Sequence, residues 1–173
     1  TEGLAEKSGL VEKANESFVT DTKDTDQDLV QLPDDQWLNT LSSTHNTKQQ
    51  KLMEIQGYTA AFANGEISHN RYKMLMKGIN KDLQRQRQAF KSFIEGKDLN
   101  QQKEVVGIVS TELKQLQELA VALSSISEKN AISRFNEGVS EQNELNESYK
   151  ITVKNLLTQM GKVFKEENGK IIY

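Results

Sequence analysis

The sequence predicts an all-α fold, an elongated antiparallel bundle of three to four long helices with an N-terminal helical arm. Three observations lead there. Apolar residues return at steps of three and four over most of the chain, the period of a helix that buries one face. There is one proline in 173 residues, and long helices exclude proline because it lacks the N–H and clashes with the preceding turn. The hydrophobic fraction is only 35%, yet Val, Ile, Leu and Phe make up about a quarter of the chain, enough to order it. Low apolar content with strong periodicity suits rods that bury one stripe and wet the rest.

Residues 1–32 read as the arm and a linker. Leu4, Val11 and Phe18 recur every seven residues, with Ser8-Gly9 interrupting, and Thr20 to Asp28 is polar and largely acidic. The bundle domain is expected over 33–173. Pro33-Asp34-Asp35 marks a helix start, since proline fits the first turn and carboxylates favour the positive end of the helix dipole. Trp37, Leu38, Leu41, Leu52, Ile55, Thr59 and Phe62 give the inner face. Ser42 to Lys51 contains no apolar residue, but no Gly or Pro either, so one continuous helix with a polar waist is expected. Asn64-Gly65 ends it, and Ser68 is the natural N-cap of a second helix carrying Tyr72, Met76, Ile79, Leu83, Phe90 and Phe93. A turn this short makes the two helices antiparallel neighbours.

Gly96 is expected to close the second helix, and Asp98 with Gln101 to form the capping box of a third. Val106, Val109, Leu113, Leu116, Ala120 and Leu123 make the cleanest seam in the chain, flanked by Val105, Ile108 and Leu119, so this helix should lie at the centre of the core. The phase slips after Leu123. A turn near Ser127–Asn130 is expected, with Gly138-Val139-Ser140 as the alternative. The last helix would then run from about 131 to 167, roughly 55 Å at 1.5 Å per residue, end at Gly169, and be followed by a short apolar tail.

The function classes that composition excludes are clearer than those it favours. A net charge of −3 with both signs interspersed offers no nucleic-acid footprint. No apolar run is long enough to span a bilayer. Zero cysteine removes thiol chemistry, and no glycine pattern suits a phosphate loop. Glu66-x-x-His69 has the spacing of a helical metal motif but stands alone, and His45 has serine where a second glutamate would be needed. Asp24, Asp26, Asp28 and Asp35 occupy positions of a calcium loop, but Leu29 replaces the turn glycine and Pro33 interrupts it. Ser42 to His45 could suggest a nucleophile and base, and reads better as a polar helix face. No catalytic residue, cofactor or metal is therefore expected.

Five polar residues, His45, Lys48, Gln86, Gln142 and Asn146, fall where the seam wants apolar side chains. They either sit in water where helices overrun their neighbours or line a polar pocket between helices. Trp37 and Tyr58 are candidate anchors for a partner, with residence in the core as the simpler account. The leading expectation is a non-enzymatic, extracytoplasmic interaction module with a protein partner, of the kind found as the soluble part of a bacterial lipoprotein or membrane-tethered protein. The start at Thr1 and the missing cysteine prompt that expectation, which includes a tether preceding the chain. The alternatives are a ligand-sensing bundle such as a receptor outer domain, and a cytosolic adaptor or chaperone-like bundle.

Overall fold

The computed structural model describes residues 34–173, so the expected arm, the linker and Asp24, Asp26 and Asp28 lie outside the described residues. Helix α1 spans Asp35–Ala63, α2 His69–Ile94, α3 Lys103–Leu123 and α4 Glu128–Gln159, followed by the strands β1 Lys165–Glu167 and β2 Lys170–Ile172. The chain is an all-α bundle with a small two-stranded hairpin at its C-terminal end.

Local chemistry sets most of the boundaries. The Asp34 carboxylate accepts from the Trp37 backbone N–H at 2.7 Å and caps α1. The helix then runs unbroken through the polar waist to Asn64 and Gly65. Ser68 caps α2 through the Arg71 N–H at 3.1 Å. Asp98 does not cap α3, contrary to expectation. Among the described residues it accepts from the Asn100 amide at 3.5 Å, and α3 begins after Gln102 without a side-chain cap hydrogen bond. The connection is longer than a capping box would make it.

The turn between α3 and α4 falls at 124–127, and α4 continues through Gly138 without a break. Its end corrects the sequence reading. The helix stops at Gln159, not near 167, because Gly161 adopts φ +72° and turns the chain so that the Lys162 N–H reaches the Leu157 carbonyl. Gly169 therefore does not end a helix. With Asn168 at φ 53° and Gly169 at φ 78°, it forms the two-residue turn that joins β1 to β2, the Asn-Gly pair that tight hairpins prefer.

Cross-helix contacts show the direction of each helix. Thr59 meets Tyr72 and Lys51 meets Asp82, so α1 and α2 are antiparallel. Gln142 reaches the Glu112 carbonyl and Leu119 packs on Gly138, so α3 and α4 are antiparallel as well. Helices α1 and α3 also touch, across the diagonal. The α3 seam is sealed as its spacing demands: Val109, Leu113, Leu116, Ala120 and Leu123 are each 0% exposed. At one end of the bundle Phe62 stacks on Tyr72 with centroids 4.3 Å apart, and the Tyr72 hydroxyl is satisfied by Thr59 at 2.8 Å.

Gly138 is required for packing rather than for turning. A Cβ there would lie 2.5 Å from Leu119 Cδ2 and 2.8 Å from Cδ1, and Leu119 is itself buried. Gly138→Ala should therefore lose stability despite alanine's better helix propensity, by a net ~1 kcal/mol. Gly78→Ala, where a Cβ meets nothing, should gain about the same. Thermal melts of the two variants check this, and equal stabilisation by both would refute the close approach.

Candidate functional site

The waist of α1 turns inward. Of the polar seam residues, His45, Lys48, Gln142 and Asn146 are brought together across α1, α3 and α4, around a carboxylate on α3. His45 Nδ1 donates to Glu112 Oε1 at 2.8 Å, and Lys48 Nζ donates to Glu112 Oε2 at 3.2 Å. Lys48 and Glu112 are both 0% exposed. Gln142 adds a hydrogen bond from Nε2 to the Glu112 backbone carbonyl at 3.0 Å. On its other edge, His45 Nε2 lies 3.0 Å from Asn146 Oδ1, which also receives Gln49 Nε2 at 3.0 Å. An amide can present either its oxygen or its NH2, so Asn146 and Gln49 can satisfy either protonation state of the ring.

The ring is held on its face too. Tyr149 stacks on His45 with centroids 3.6 Å apart and planes 7° from parallel. Burial, and after it the Glu112 charge, push the Tyr149 phenol well above the ordinary tyrosine value, with the Ser42 hydroxyl bond opposing. The phenol thus stays protonated. Burial likewise lowers the Lys48 ammonium from its ordinary value, and the attraction of Glu112 opposes that. Ser42 faces this phenol, and no described hydrogen bond joins it to His45.

The C-terminal hairpin lies over the outer edge of this cluster. Gly169, Lys170, Ile171 and Tyr173 close a small void against Leu41, His45 and Tyr149. Glu166 fixes the hairpin to α4 through Lys154 at 2.7 Å and Lys150 at 3.0 Å, and the Tyr173 hydroxyl donates to Asn39 at 2.9 Å. Lys162 pairs with Asp35 at 2.7 Å, so the one described carboxylate of the calcium-type spacing is engaged in a surface ion pair.

The two lysines hold the Glu166 carboxyl below the ordinary glutamate value, Lys154 first. A depressed carboxylate stabilises the clamped hairpin above the ordinary value, and that contribution disappears as pH falls through the folded one. The Ile171 and Tyr173 NMR signals should therefore begin to shift below about pH 4.5, and Glu166→Gln should shift them in the same direction at neutral pH. A flat wild-type profile between neutral pH and pH 3 would contradict the clamp.

The remaining candidates lie elsewhere. Gln86 joins Thr40, Thr44, Thr47, Phe90 and Phe93 along a separate shallow groove between α1 and α2. Trp37 is buried against Phe93, with ring centroids 6.0 Å apart, and Tyr58 is half-buried against the core. Glu66 is in the α1–α2 turn, and the His69 ring lies near Phe62. No cluster of three potential metal ligands occurs among the described residues. No described helix is long and apolar enough to cross a membrane.

Glu112 and Tyr149 complete the cluster and were not on the list of polar seam residues. Glu112 had a readable signal: it stands seven residues from both Val105 and Leu119, on the stripe flanking the α3 seam. A lysine on the inner face of α1 also demands a buried counter-charge. Fold and cluster together define a four-helix bundle with an internal ionic layer. Comparisons with protein families, with curated proteins and with solved structures find no match for this chain.

Proposed function

We propose that the bundle is a non-enzymatic interaction module, acting through its outer surface on a protein partner in an extracytoplasmic setting. The observation that carries this reading is the closure of the ionic layer. A reaction centre needs a reacting atom within reach of its base. Here Lys48 and Glu112 are fully enclosed, both His45 nitrogens are engaged, and the hairpin lines a small void beside His45. Such a layer specifies which helix faces which, a role that buried polar groups fill in other bundles.

The test is photocrosslinking of the full chain in its native cells from the exposed positions Met53, Met74 and Ile151. A reproducible crosslink to one partner is expected from at least one of these faces, and it should survive Lys48→Met combined with Glu112→Gln. Loss of biological activity in that double variant, with fold and crosslink intact, would reassign the layer to catalysis.

A further inference from the structure

A groove of about 420 Å³ opens between α2 and α3. Phe90 and Leu113 form its floor, both buried, and the half-buried Ile94 forms its end. Arg87 and Lys91 stand on its rim, one helical turn apart and so on one face of α2. None of the described residues lining it is acidic, although the chain as a whole carries −3.

Arg87 is held in place: its Nη1 donates to Gln117 Oε1 at 2.7 Å, and Gln117 Nε2 donates in turn to Asn80 Oδ1 at 2.9 Å. Neither Arg87 nor Lys91 forms an ion pair with another described residue. Two unpaired like charges one turn apart repel slightly, and a bound anion would relieve that. A guanidinium steadied through one nitrogen keeps its other donors free for two-point recognition of a carboxylate.

We propose that this groove binds a small amphipathic carboxylate, whose charged end meets Arg87 and Lys91 and whose apolar body lies over Phe90, Ile94 and Leu113. The volume falls within the range of small-molecule sites. This site goes beyond the partner-binding reading and does not depend on it.

The full chain titrated with 1-naphthoate, followed by heteronuclear NMR, tests the proposal. Saturable shifts are expected at the amides of Arg87, Lys91, Ile94, Leu113 and Gln117, with half-saturation at roughly millimolar concentration. The neutral 1-naphthamide should bind at least about ten-fold more weakly, since it lacks the charge that the rim recognises. Arg87→Gln with Lys91→Gln should weaken naphthoate binding by a similar factor while leaving the melting temperature unchanged. Shifts that do not saturate, shifts centred elsewhere, equal binding of the amide, or unchanged binding by the double variant would each overturn it. Such a failure leaves the partner-binding reading intact, because the crosslinking positions lie outside this groove.

Discussion

Glu112→Ala is expected to destabilise the bundle by about 3–5 kcal/mol, the usual cost of removing one partner from a buried ion pair. The substitution leaves the Lys48 ammonium enclosed without its carboxylate and removes the acceptor of His45 Nδ1. Against a total of about 5–15 kcal/mol for a domain, that is a large share of the stability. Combining Lys48→Met with Glu112→Gln should recover most of the loss. No charge is then stranded, and the glutamine oxygen can still accept from His45. Urea unfolding of wild type, single and double variants measures both effects. A mild single variant, or a double variant no better than the single, would mean that water reaches the layer.

The second large effect is expected at Leu116, in the middle of α3 and 0% exposed. Leu116→Ala should cost about 2–5 kcal/mol, because the buried methyls are lost and the helices around them close only partly over the cavity. The exposed Val121, on the last turns of the same helix, serves as the control. Val121→Ala should fall within about 0.5 kcal/mol of wild type. A Leu116 variant as mild as the control would remove α3 from the centre of the core.

The helices were legible because their signals are local and repeated. Asp34, Ser68, Gly65 and Gly96 each do at their helix ends what their chemistry suggests, and the α3 seam is spaced for burial. The end of α4 was misread because Met160, Val163 and Phe164 continue the helical spacing past the true stop. Gly161 falls inside that apparent series, and its positive φ ends the helix where periodicity alone extends it. The hairpin was missed for a related reason. Two three-residue strands are too short for an alternation signal, and Asn168-Gly169 also suits a helix terminus.

The candidate site was legible only in part. Each polar seam residue could be picked out as an interruption in its own helix, but which interruptions meet depends on how helices align in space. His45, Lys48, Gln142 and Asn146 share one level of the bundle, whereas Gln86 faces a different gap. Glu112 was hidden because a glutamate on a helix is ordinarily read as a solvated charge. Asp98 shows the converse: a capping pattern complete in sequence that the chain does not use, because α3 starts later.

The account turns on the ionic layer being sealed and opening only when the bundle opens. Native-state amide hydrogen exchange at His45, Lys48, Glu112 and Gln142, compared with Leu116 and Leu156, measures this most directly. Exchange at all six positions should require the free energy of global unfolding. Rapid exchange around His45 and Glu112 while Leu116 and Leu156 stay protected would contradict it, and would show that the layer opens separately from the core.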